Sequence, residues 1–110
     1  MATRLRVEFL IPLKYNDGTD IEPEKFFKIK NEVLEKFGGI SIHPLSIEGA
    51  WIDKIDDARY YDNCKRFEVC AEKCEDTYHW LSKYKEQLKN EFKQKEIYMI
   101  AMEVKDIICF

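Results

Sequence analysis

Glycine and proline are scarce, four and three in 110 residues. That excludes collagenous and low-complexity chains, whose backbones are built from those two residues. A dominant charge sign is also missing. Eighteen Lys and Arg against 21 Asp and Glu leave a formal net charge of −3, which gives no basic field for wholesale capture of a nucleic-acid backbone. Apolar stretches such as Phe9-Leu10-Ile11-Pro12-Leu13 are far too short to cross a bilayer. The opening Met1-Ala2-Thr3-Arg4-Leu5-Arg6 lacks the basic, apolar and small-residue succession of a secretory leader, so a cytoplasmic protein is expected. In that compartment Cys64, Cys70, Cys74 and Cys109 read as reduced thiols. The chain has two histidines, no His-Glu-x-x-His motif and no Ser or Cys at a nucleophile elbow. No metal or cofactor is expected.

What is present is a core. Hydrophobic residues make up 45% of the chain, enough apolar surface to offset the entropy of ordering one domain, read as residues 1–110. Leu5, Val7, Phe9, Ile11 and Leu13 alternate with Arg4, Arg6, Glu8 and Leu10, the period of a half-buried strand. Asn16-Asp17-Gly18-Thr19 carries turn chemistry, and Pro23 suits a helix start. The spacing of Phe26, Ile29, Val33, Leu34 and Phe37 predicts a helix over about 23–37, stopped by Gly38-Gly39. On its wet side Glu24/Lys28 and Glu32/Lys36 are expected as i,i+4 pairs.

Ile40–His43 reads as a second strand broken at Pro44. Ala50-Trp51-Ile52 and Arg59-Tyr60-Tyr61 flank an acidic turn, which predicts a hairpin over 48–62. Phe67, Val69 and Ala71 form the inner face of another alternating strand, Lys65–Ala71. A second helix is expected over about 74–92, with Tyr78, Leu81, Tyr84 or Lys85, Leu88 and Phe92 on its apolar stripe. A last strand follows over 96–104. The order predicts an α+β, ferredoxin-like β-α-β-β-α-β antiparallel sheet with both helices on one face and a hairpin insertion.

That arrangement turns Arg4, Arg6, Glu8 and Leu10 to the open face, beside Cys64, Arg66, Glu68 and Cys70. Either Ile97, Met99 and Ala101 or Tyr98, Ile100 and Met102 join them. A band of apolar side chains on an uncovered sheet marks an interface, so a homodimer with an isologous contact through this face is expected.

The order of elements, together with Asn16-Asp17-Gly18, Phe37-Gly38-Gly39, Gly49-Ala50-Trp51 and Tyr84-Lys85 through Phe92 to Glu96-Ile97-Tyr98, resembles a family of small microbial proteins similar to the dimeric α+β barrel superfamily. The resemblance covers most of the chain but rests on turn and packing residues. It implies a sheet-to-sheet dimer. Barrels of this type include haem-handling monooxygenases, isomerases and ligand-sensing domains, and none of their catalytic residues maps onto this chain.

The chemistry-bearing candidates are Arg6, Glu8, His43, Trp51, Arg66 and Glu68. Arginine forks hold a carboxylate or phosphate, with Glu8 or Glu68 as proton acceptor. The simpler reading is a mutually neutralising lattice between paired strands. His43 has the chemistry of a general base, although an exposed strand histidine is the commoner case. Trp51, Tyr60 and Tyr61 either wall a small-molecule pocket or simply pack the hairpin. Lys85, Lys89 and Lys93 form a basic ridge diluted by glutamates, so a nucleic-acid partner is not expected. The leading expectation is a binding or regulatory module with a cavity at the open face for a small anionic or aromatic ligand. A cofactor-independent isomerase or monooxygenase using His43 or Glu68 is the first alternative, and a ribonuclease-like, nucleic-acid-associated fold the second.

Overall fold

The structure, a computed structural model, describes residues 3–105. Cys109 and the Met1-Ala2 start lie outside the described residues. The elements in chain order are β1 (Thr3–Pro12), α1 (Pro23–Phe37), β2 (Ser41–Ile42), β3 (Ile47–Ile52), β4 (Arg59–Glu72), α2 (Glu75–Glu91) and β5 (Met99–Lys105). They build an α+β molecule with two helices and one five-stranded antiparallel sheet, ordered β2-β4-β1-β5, with β3 also paired to β4. That order is compatible with a ferredoxin-like fold. No helix among the described residues is long and apolar enough to cross a membrane.

Register decides which side chains are covered. Leu5, Val7 and Phe9 stand opposite Ala71, Val69 and Phe67, and all six are buried. With Ile29 and Val33 of α1 and Leu81, Tyr84 and Leu88 of α2, the five larger of these belong to one apolar core, so both helices cover the same face. Phe9 stacks on Phe67 with ring centroids 5.1 Å apart and meets Tyr84 edge-on at 6.4 Å. Aromatic pairs of this kind add to the burial that already stabilises the core. The Tyr84 hydroxyl lies 3.4 Å from Glu32, and burial pushes its pKa well above the ordinary phenol value.

Pro23 opens α1, and Gly38, at a φ of 79°, closes it by donating its N–H to the Leu34 carbonyl. Three details differ from the sequence expectations. Leu34 and Tyr78 are exposed, while Thr77 is buried in place of Tyr78. The stripe on each helix is narrower because only positions aimed at β1 and β4 are covered. Lys28 and Lys36 reach Glu91 and Asp76 of α2, at 2.6 and 2.7 Å, rather than Glu24 and Glu32. These pairs tie two antiparallel helices together.

The edge beside β4 is interrupted. Ser41 and Ile42 pair with Glu68 and Phe67, whereas Ile47 and Glu48 pair with Cys64 and Asn63. Four residues, His43 to Ser46, thus face two, Lys65 and Arg66. Pro44 cannot donate to a ladder, and the extra residues loop out around it. The second strand accordingly shrinks to two residues, and just beyond it His43 donates its N–H to the Arg66 carbonyl, at 3.0 Å.

Candidate functional site

The even-numbered positions of β1 and β4 point away from the helices. Glu8 stands directly opposite Glu68, an unfavourable meeting of like charges unless cations intervene. Two do. Arg6 donates to Glu68 Oε1 from Nε at 2.9 Å and from its terminal nitrogen at 2.5 Å. Arg66 lies with Nε 3.1 Å from Glu8 Oε1 and its terminal nitrogen 3.5 Å from Glu68 Oε1. The angle at Arg66 Nε falls short of a hydrogen bond, so this buried atom makes an ion contact with Glu8 and no more. The hydrogen bond from Arg6 holds the Glu68 carboxyl below the ordinary glutamate value, against an opposing push from burial, and Arg66 and His43 add to the lowering. The candidates Arg6, Glu8, Arg66, Glu68 and His43 therefore gather on one surface as an internally neutralised lattice.

On β5 the register puts Ile100 opposite Glu8, Met102 opposite Arg6 and Val104 opposite Arg4. Of the two sets left open by the sequence, the even-numbered one lies on this face. Met102 is 43% exposed and Tyr98 50%, giving an apolar strip along one flank of the ionic lattice.

Trp51 stands apart from the lattice. It lies on β3 opposite Tyr60 and stacks on it, centroids 4.5 Å apart and planes 15° from parallel. Beneath this stack a cup of about 240 Å³ opens on the same face of the sheet. Leu10, Pro12 and Cys64 form its apolar floor, Tyr98 and Trp51 its walls, and Asp62 and Glu96 its carboxylates. Burial raises the Asp62 pKa. The Cys64 thiol is pushed up to about 11, by burial first and by Asp62 second, so at neutral pH it behaves as a small hydrophobe. Glu96 is held ionised below its ordinary value, chiefly by the 2.9 Å contact with Lys85.

Sequence reasoning named Trp51 as a site candidate and Tyr98 only as one option for the open face, and it missed their neighbours Asp62 and Glu96. The available signal was Gly49. It sits opposite Asp62, and a β-carbon there meets nothing closer than the Asp62 carbonyl oxygen at 3.8 Å. A glycine within a strand pattern leaves a hollow where a side chain would stand. Tyr61 belongs elsewhere, 69% exposed on the opposite side of β4. Lys85 and Lys89 are paired with Glu96 and Glu86, at 2.9 and 3.5 Å, which breaks up the basic ridge on α2.

No family model and no curated protein matches the chain. Among solved structures, a phage SAM lyase in complex with S-methyl-5'-thioadenosine is similar to it, with a TM-score of 0.62 at 10% identity, covering 96% of this chain and 90% of that one. At such identity the likeness is one of fold.

Proposed function

We propose that this chain is a small-ligand-binding protein of ferredoxin-like fold that takes a planar heteroaromatic molecule of the nucleoside class in the open-face cup. One observation carries the reading. A tryptophan backed by a tyrosine walls an apolar hollow that also holds two carboxylates. The aromatic wall offers a stacking surface, and the carboxylates accept hydrogen bonds from hydroxyl or amino groups. Of the two ligand types expected from the sequence, the aromatic one fits better. Arg6 and Arg66 are committed to Glu8 and Glu68, and an anion in the cup would meet Asp62 and Glu96 instead. The thioadenosine ligand of the phage lyase supports the same class.

A role as general base asks for a carboxylate free to take a proton. Glu68 is engaged by two arginines, which disfavours the isomerase or monooxygenase reading on that residue. Two copies of the chain pairing through the open face remain part of the proposal, because the strip of Met102, Ile100 and Tyr98 adjoins the cup.

Titration with S-methyl-5'-thioadenosine and with adenosine, followed by tryptophan fluorescence, tests the ligand. Binding should quench the Trp51 share of the emission, a change lost in Trp51→Phe where Trp80 alone emits, and Trp51→Leu should weaken binding by about tenfold, the scale of one base stacked on one aromatic ring. Unchanged fluorescence and melting temperature at millimolar nucleoside would overturn it. Light scattering tests the pairing. A dimer mass reduced to a monomer by Met102→Glu is expected, and a monomer mass for the unaltered chain would rule the pairing out.

A further inference from the structure

The turn of the hairpin bearing Trp51 is tied to the α2–β5 connection through Lys95. This turn, Asp53–Ala58, is closed by Asp53 N–H donating to the Ala58 carbonyl and Asp57 N–H to the Asp53 carbonyl, both at 2.8 Å, with Asp57 at a φ of 59°. Inside the turn, Asp53 Oδ1 accepts the Ile55 N–H and Asp56 Oδ1 accepts the Ala58 N–H, each at 2.9 Å. In both residues this local bond leaves Oδ2 free to turn outward. Both Oδ2 atoms converge on a single ammonium, Lys95 Nζ, at 3.4 and 3.5 Å. The same ammonium lies 5.8 Å from the centre of the Tyr60 ring, the ring on which Trp51 stacks. Lys95 itself stands between Gln94 and Glu96, two residues that line the cup. Among the described residues, β3 pairs with β4 and with no other strand.

We infer that Lys95 is a positioning residue for the cup, and that it latches the hairpin so that Trp51 stays over the hollow and ligand enters or leaves when the latch opens. The inference rests on the ligand-binding reading above, but the latch itself exists without ligand. A lysine between two carboxylates and an aromatic ring draws on Coulomb attraction and on the ring quadrupole together. Because the two carboxylates are already oriented by the turn, closing the latch costs little further side-chain entropy.

Hydrogen–deuterium exchange of the ligand-free full chain is the first arm. Lys95→Met should speed exchange of the amides over 53–60 by about fivefold, the size expected for two partly exposed ion pairs, and leave β1 and α2 unchanged. Lys95→Arg should restore slow exchange. The double variant Asp53→Asn with Asp56→Asn keeps both side-chain oxygens for the turn, so it loosens the hairpin without depending on how Lys95→Met folds. Hairpin exchange unchanged in both Lys95→Met and the double variant overturns the latch. The second arm is stopped-flow binding of S-methyl-5'-thioadenosine. Lys95→Met should raise the association and dissociation rates together by about fivefold while Kd moves by less than about twofold. Unchanged rates with a loosened hairpin overturn the role in ligand passage. If the unaltered chain does not bind the probe, the cup reading fails while the exchange result still decides the latch.

Discussion

On the helix-covered face of the sheet, Phe9 and Phe67 stack on each other and meet Tyr84, all three buried. One residue along each strand, on the opposite face, Glu8 stands against Glu68 with two arginines between. The same pair of strands thus supports a dry aromatic stack on one side and a half-wet ionic lattice on the other. Apolar burial is non-directional and adds up over area. The lattice stabilises only while every charge keeps its partner, since removing one leaves another exposed to its like.

The contrast is broken most sharply from the covered side. Phe67→Ala should cost about 3–5 kcal/mol, read as a fall in the urea midpoint at unchanged slope. A loss under about 1 kcal/mol would mean that the stack is not the centre of the core. On the open side, Arg66→Ala should cost about 1–2 kcal/mol, because Glu8 and Glu68 then face each other with one cation fewer. Adding Glu8→Gln should recover part of that loss. Sheer loss of packing would instead leave the double variant no better than the single one.

A smaller effect separates the faces by pH. Glu68 titrates below the ordinary glutamate value of 4.5 in the folded chain. Its contribution is therefore complete above that value and disappears as pH falls through the lowered folded one. Urea melts down the acid limb should flatten in Glu68→Gln, while Phe67→Ala should shift the whole curve and keep its slope. The smallest change is expected beyond both faces. Leu34→Gln, on the exposed side of α1, should stay within about 0.5 kcal/mol of the parent, although its sequence spacing matches that of buried Val33.

Legibility in the sequence follows the same division. Both helices and the inward side chains of β1 and β4 were readable because period and burial coincide there. Leu34 and Tyr78 misled because spacing alone states that a stripe exists, not how wide a neighbour covers it. The arginine and glutamate lattice was readable from alternation on two strands that pair. The cup was not. Its residues come from β1, β3, β4 and the α2–β5 connection, and only a two-residue offset along β4 brings Gly49 level with Asp62. Local patterns carry no record of such an offset. The hairpin latch was hidden for a related reason, since Lys95 lies 42 residues from Asp53 in the chain.

The interruption at Pro44 also gives the sheet two unlike margins. Along β4 the outer margin is split between the two-residue β2 and the six-residue β3, with the loop around Pro44 between them, a poor template for any further strand. Along β5, Met99–Lys105 runs unbroken, with Glu103 and Lys105 as the charged residues that guard it. Crowding, partial unfolding or storage at high concentration should therefore recruit neighbours along β5 first. For solubility engineering, charge or proline placed on that rim will do more than any change beside Pro44.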